Sequence, residues 1–308
     1  KHAAMQSRTK NGPDTERAQT DNPSPDRYAL YARAIGKRLH RSPGICDSDE
    51  KKAPLHYSRT AYTRETNRKH DLNRRKMKSV IGMGNALTDI LINLKTDEVL
   101  ERFMLPRGSM NLVDNDRQRR IGEYVAGMPR TLSLGGSASN TIRAMARMGV
   151  RTGYVGKVGR DTTGDFFEQA LVNLGIEPHI LRGNERSGRC VSLVSADGER
   201  TMCTFLGAAL EMRGDELTSL FDGYDCLYIE GYLVQDHELI GRAVRLAKAC
   251  GLTVALDLAS FNIVDENLGF LNELTDGYVD VLFANEQEAF SFTGERNPLE
   301  ALDKISRK

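Results

Sequence analysis

The stretch LGGSASNTIRAMARMGVRTGYVGKVGRDTTG, Leu134 to Gly164, sets backbone-opening glycines beside one amide side chain and a strand–helix–strand rhythm. Gly135 and Gly136 carry no side chain, so a polar ligand can approach the main chain there. A helix opening near Ser137 would aim its free N–H groups at that ligand. Asn140 offers a donor and an acceptor together, which suits a sugar hydroxyl. Taken alone, Gly-Gly-x-x-x-Asn reads equally well as a tight turn followed by a helix cap. Further on, Tyr154 to Gly159 reads as the end of a strand. Asp161 or Thr162 is then placed to cap a helix whose Phe166, Phe167, Ala170, Leu171 and Leu174 recur at helical spacing.

Gly-Gly-x-x-x-Asn, a helix ending in Ala-x-x-Gly, and Gly-Lys-Val-Gly-x-Asp-x-x-Gly together resemble the first signature of the PfkB (ribokinase-like) sugar and nucleoside kinases. Two further strings extend the resemblance. Gly82-Met83-Gly84-Asn85 with Asp89-Ile90 is similar to the opening motif of the adenosine-kinase-like branch, where the matching aspartate holds two sugar hydroxyls. Asn285-Glu286-Gln287-Glu288 matches the family's Asn-x-x-Glu element, which organises Mg²⁺ and phosphate. The resemblance thus implies Asn85, Asp89, Gly135, Gly136, Asn140 and Glu230 as substrate-binding residues, and Asn285 and Glu288 as metal and phosphate residues. It also implies ATP and Mg²⁺ as cofactors, a sugar or nucleoside as partner, and subunits that pair through lid strands. Each motif has a plainer counterpart: Asp89 closing a turn at a strand end, and Asn285 with Glu288 capping a helix without any metal.

The 308 residues carry a formal charge of +1, but the average conceals two pieces. Residues 1–76 hold 18 of the 43 Lys and Arg and 9 of the 42 Asp and Glu, so a net +9 precedes a net −8. The first piece is rich in Arg, Asn, Thr, Ser and Pro and has only Tyr28 to Ala32 as an apolar cluster, a composition that cannot bury a core. It is expected to be a disordered, basic extension ahead of a natural start at Met77. A transit peptide is disfavoured by its interspersed acids, and a nucleic-acid arm is the lesser reading of its charge. No apolar run reaches membrane-span length. Cys190, Cys203, Cys226 and Cys250 have no metal-ligand spacing and read as small buried hydrophobes of a reducing cytoplasm. His179 and His237, the two histidines outside the basic piece, suggest no site by spacing.

From Met77 onward the chain reads as an α/β fold: a parallel-rich, ribokinase-like sheet with helices on both faces plus a small β-sheet lid, with the C-terminal part of the family fold missing. Residues 78–84 form a strand, and lid strands are expected near 90–94, 109–113, 190–195 and 200–205, the last two flanking an Asp197-Gly198 turn. Residues 115–128 and 235–250 read as helices, 268–274 as a short one, and 226–229, 252–258 and 279–283 as strands. Ligands on such sheets lie beyond the carboxyl ends of the strands, where Glu230, Asp257 and Asn285 fall. Gly82-Met83-Gly84 after a strand also suggests a dinucleotide site, but Leu87 stands at the third glycine position and a β-branched segment follows.

The family's second signature, Asp-x-x-Gly-Ala-Gly-Asp, occurs nowhere in these residues. The resemblance assigns to it the anion hole for the transferring phosphoryl group and the base that takes the hydroxyl proton. Gly183 to Gly188 has Walker A spacing, but Arg189 replaces the lysine and Cys190 the hydroxyl residue. The expectation is therefore an ATP-dependent phosphotransferase acting on a hydroxymethyl group, with this chain not itself competent in catalysis. A non-catalytic sugar or nucleoside binder of the same fold is the alternative.

Overall fold

The computed structural model describes residues 79–308. The basic segment 1–76 and the expected start at Met77 lie outside the described residues. The order is β1 (Ser79–Met83), β2 (Leu87–Asn93), α1 (Glu98–Arg102), β3 (Met110–Leu112), α2 (Asn115–Tyr124), β4 (Arg130–Gly135), α3 (Ser137–Arg147), β5 (Arg151–Val158), α4 (Thr162–Asn173), β6 (Glu177–Arg182), β7 (Gly188–Val194) and β8 (Arg200–Phe205). It continues with β9 (Cys226–Glu230), α5 (His237–Ala249), β10 (Thr253–Asp257), α6 (Phe261–Gly277), β11 (Val281–Phe283), α7 (Glu286–Thr293) and α8 (Pro298–Ser306).

Six strands in the order β11-β10-β9-β1-β5-β6 make one sheet, and every pair in it is parallel. Parallel strands need crossovers, and the helices that make them cover both faces. The period of two along β1 sorts the core. Ile81 and Met83 pack with Leu239, Ile240, Val244 and Val264 of α5 and α6, while Val80 packs with Ile142, Phe167 and Leu171 of α3 and α4.

The second sheet runs β3-β8-β7-β2-β4 and mixes parallel with antiparallel pairs. One face buries Ile92, Val191, Leu193 and Cys203 against Val99, Leu100 and Ile121 of α1 and α2. The alternate residues Asp89, Cys190, Arg200, Met202 and Thr204 face the other way, into a cavity.

Several sequence expectations move. Strand β2 begins at Leu87, so Asp89 lies within a strand instead of closing a turn, because Leu87 and Asp89 pair with Gly135 and Ser133 on one side and Gly188 and Cys190 on the other. The short helix expected at 268–274 is the middle of a 17-residue helix that Ser260 caps from its side chain. Helix α2 stops at Tyr124, short of Met128. Strands β4 and β6 were not expected: Arg130 to Leu132 are exposed, and β6 holds Pro178 among the polar Glu177, His179 and Arg182. Cys190 and Cys203 are buried, but Cys226 is only partly so and Cys250 is exposed at the end of α5. Among the described residues no helix is long and apolar enough to cross a membrane.

Candidate functional site

The site begins where β1 ends. Gly84 and Asn85 leave the central strand, and the chain turns into β2, which carries Asp89. Gly136 stands between β4 and α3 with φ +87 and ψ 140, a conformation that side chains other than hydrogen rarely adopt. A Cβ there would lie 2.3 Å from the backbone oxygen of Asn85. As the residue preceding α3, Gly136 has no side chain with which to cap the helix. Glu230, from the end of β9, takes that role: its Oε2 accepts from the backbone N of Ala138 at 2.9 Å.

The other oxygen of Glu230 accepts from the backbone N and the Nδ2 of Asn85, at 2.8 and 2.7 Å. Glu230 is fully buried, and desolvation raises its pKa against the pull of those hydrogen bonds. Glu230 therefore fastens the Asn85 turn to the start of α3, with both oxygens engaged by protein donors. The same contact fixes which way the Asn85 amide points. Asn85 lines the cavity, and its Oδ1 is buried with no hydrogen-bond partner among the described residues.

Asp89 differs. It is half-buried, and its carboxylate accepts no hydrogen bond from any described residue. Desolvation pushes its pKa up, with the positive charges of Arg200 and Arg143 pulling down. Gly135 packs beneath it, where a Cβ would lie 2.1 Å from Oδ1. A desolvated, unpaired carboxylate facing open space is a costly arrangement that a ligand with two hydroxyl donors relieves. Asn140, in the first turn of α3, accepts from Arg143 Nη1 at 2.9 Å through Oδ1 and leaves its Nδ2 free.

Asn85, Asp89, Gly136, Asn140 and Glu230 share the wall of one cavity of about 820 Å³. Gly135 lies beneath it as the seat of Asp89. Asn285 and Glu288 do not line it. They follow β11 and bind each other in a capping box: Asn285 N and Nδ2 donate to Glu288 at 2.9 and 2.7 Å, and Glu288 N donates to Asn285 Oδ1 at 2.9 Å. Glu288 is buried, and desolvation followed by the repulsion of Asp257 raises its pKa. The pair thus sits on the same carboxyl edge of the sheet, beside the strand that carries Asp257. Among the described residues no three His, Cys, Asp or Glu side chains group to hold a metal ion. The donors present suit a hard cation approached through water, not one caged by protein.

The signature's remaining residues are structural. Asp161 caps α4 through Gly164 N and also accepts from Ser187 N and Oγ at 3.0 and 2.6 Å, tying the helix to β7. Burial works against its ionisation, and these hydrogen bonds outweigh burial to lower its pKa. Lys157 is buried and donates to both oxygens of Glu216 at 2.7 and 2.8 Å and to Glu211 O at 2.8 Å.

Arg200 and Arg143 went unassigned in the sequence, and Cys190 was read there as a small buried hydrophobe, not as part of the site. Arg200 was legible in principle, since the alternation of the 190–205 hairpin puts it on the face of Cys190 and Thr204. Arg143 was not, because its guanidinium reaches back to Leu134 O and Asn140. Burial pushes the Cys190 thiol up to about 11, so it lines the cavity as a protonated, unreactive group.

A model of the pfkB family carbohydrate kinases matches residues 108–308. Among solved structures, the chain is similar to the adenosine kinase from Sinorhizobium meliloti, with 32% identity and a TM-score of 0.65 over 75% of this chain and 72% of that one. It is also similar to a probable sugar kinase protein from Rhizobium etli CFN 42, at 30% identity and a TM-score of 0.66 over 75% and 71%. Guanosine-inosine kinase of Escherichia coli is 26% identical over 239 residues, 73% of this chain and 55% of the relative, so the chain spans about half the length of that kinase.

Proposed function

The chain belongs to the pfkB family of carbohydrate kinases, and from that premise we propose that its cavity binds the sugar ring of a nucleoside, or a free sugar, for ATP-dependent phosphorylation of a hydroxymethyl group. The observation that carries the reading is Asp89: a desolvated carboxylate, unpaired among the described residues, on the wall of a cavity at the carboxyl end of a parallel sheet. Asp89 accepts two neighbouring hydroxyls of the ring, and Asn140 donates to one of them. The buried Oδ1 of Asn85 accepts a further hydroxyl or N–H. The charges of Arg200 and Arg143 oppose the desolvation that favours protonation of Asp89. Glu230 holds the platform and does not touch the ring. The second sheet excludes water from the sugar, which matters because water competes with the hydroxyl as phosphoryl acceptor. The apolar side chains Met110, Leu112, Met202, Leu206 and Leu210 on the same wall favour a ligand with a base attached over a bare sugar.

ATP with Mg²⁺ would supply the phosphoryl group when bound, and Asn285, Glu288 and Asp257 are the residues on the carboxyl edge that would hold it. The string Asp-x-x-Gly-Ala-Gly-Asp is absent from the 308 residues, so these residues are assigned binding and orientation and no proton transfer. Titration calorimetry with adenosine, guanosine and ribose, paired with a radiolabelled phosphotransfer assay, tests this. Binding that Asp89→Asn abolishes, without turnover by the chain alone, is the expected result. Unchanged binding in Asp89→Asn overturns the site, and turnover by wild type overturns the division of labour.

A further inference from the structure

A second set of polar side chains lines the cavity on the side of β9 and β10, away from β2 and α3. Gln235 comes from the turn after β9, and Asn262 and Glu266 come from the first turns of α6, after β10. All three are exposed, and none of their side chains is hydrogen-bonded to a described residue. Asn262 and Glu266 are four apart and so project from one side of the helix.

The backbone around them is unusual. Ala259 adopts φ +63 immediately before the helix, and Asn267 breaks it with φ −123 and ψ 18. Asn267 is a buried amide inside a helix, where asparagine is a weak former. Its Nδ2 donates to Ile263 O at 2.9 Å, and its Oδ1 lies 3.0 Å from His237 Nε2, whose ring stacks on Phe270 at 4.1 Å. The seven residues between the two irregular positions are thereby held as a separate segment whose direction is set by Asn267. Local rules are broken here in a way that aims Asn262 and Glu266 at the cavity.

We propose that Glu266, supported by Asn262 and Gln235, reads the base of the nucleoside and selects a 6-oxopurine, a base with an N1–H donor, over a 6-aminopurine. This rests on the nucleoside reading of the cavity. A carboxylate offers acceptors only. Guanine presents N1–H and the N2 amino group side by side and satisfies both oxygens, and hypoxanthine presents N1–H alone. Adenine turns the lone pair of N1 toward one carboxylate oxygen and loses by repulsion what its amino group gains. Asn262 and Gln235 can each donate to O6 or N7.

Calorimetric titration of the full 308-residue chain with guanosine, inosine and adenosine gives the ranking. Guanosine is expected to bind tightest and adenosine weakest, with about tenfold or more between these two. Glu266→Gln replaces one acceptor by a donor that suits adenine N1, so the guanosine-to-adenosine affinity ratio should fall by about tenfold. Glu266→Ala should compress the three affinities together. Glu266 is exposed, so both variants should keep the wild-type melting temperature. Equal affinities in wild type, or a ratio that Glu266→Gln leaves unmoved while Asp89→Asn still abolishes binding, overturns the base assignment and spares the sugar site. Failure of every nucleoside to bind overturns the base assignment, and failure of ribose as well overturns the sugar site with it.

Discussion

Gly135 and Gly136 are adjacent, yet replacing each by alanine should break different things. At Gly136 the added Cβ meets the Asn85 carbonyl oxygen at 2.3 Å, and φ is +87. The conformation alone costs an L-residue about 1–3 kcal/mol, and forcing a methyl onto fixed backbone adds about 1–3 more. Gly136→Ala is therefore expected to lose about 2–6 kcal/mol of stability. At Gly135 the backbone is ordinary strand, and the nearest atoms to the Cβ belong to the Asp89 carboxylate, at 2.1 Å for Oδ1 and 2.9 Å for Oδ2. The carboxylate can swing aside for about 0.5–1.5 kcal/mol of rotamer strain, partly offset by the reduced freedom of the unfolded chain, about 0.4–1 kcal/mol. Stability should stay within about 1 kcal/mol of wild type. Ligand affinity should not: two hydrogen bonds to a charged acceptor, at about 1.5 kcal/mol or more each, amount to about a hundredfold loss. Thermal unfolding and calorimetric titration of both variants separate the cases. Equal destabilisation by the two alanines, or Gly135→Ala affinity within about threefold of wild type, would refute the claim that Asp89 is seated on Gly135 to serve a ligand.

Other perturbations follow from the charges. Burial raises the Asp89 carboxyl, so it takes up a proton at higher pH than an ordinary aspartate, and ligand affinity should fall as pH is lowered through the range in which it protonates, with the decline gone in Asp89→Asn. Stability should respond with the opposite sign in the same window. Asp89, Glu230 and Glu288 all have raised values, so the folded chain binds protons more readily than the unfolded one, and these groups favour the fold more as pH falls toward the ordinary carboxylate range. A melting temperature and an affinity that fell together would contradict this assignment. In the Lys157–Glu216 pair, Lys157 is 8% exposed and Glu216 31%. Glu216→Gln leaves a buried ammonium without its counter-charge and should cost about 3 kcal/mol, whereas Lys157→Met leaves a carboxylate that water reaches and should cost less. Urea unfolding midpoints give the order, and a larger loss in Lys157→Met would reverse the reasoning.

Hydrophobic periodicity carried most of the fold, because parallel strands buried on both faces leave unbroken apolar runs and their helices leave stripes. The alternation of 226–229 with the stripe at Leu239, Ile240, Ala243, Val244 and Ala247 located β9 and α5 to within a few residues. It failed where tertiary contacts override composition. Strand β4 starts with three exposed residues, and only its pairing with β2 makes it a strand. Helix α6 was shortened in the sequence reading because Asn262, Asp265, Glu266 and Asn267 interrupt its first half with polar groups, and those residues line a cavity or hold a kink, not a core. The site was legible to a similar depth. The order of Asn85, Asp89, Gly136 and Asn140 gave the polar wall, but no spacing rule could show that Glu230 turns inward to cap another helix.

Glu230 and Asp89 illustrate what sequence leaves open. Both are carboxylates near strand ends on the same cavity, and both are raised by burial. Their difference lies in who occupies the oxygens. Glu230 is met by Asn85 and by the uncapped start of α3, so its charge is already compensated by three N–H donors and stays with the framework. Asp89 stands opposite glycine, with Arg200 and Arg143 partly offsetting its desolvation and no donor among the described residues to complete it. An imbalance of this kind is relieved when donors from outside the chain complete the carboxylate, and this is the basis on which the proposed ligand is assigned to Asp89 and not to Glu230.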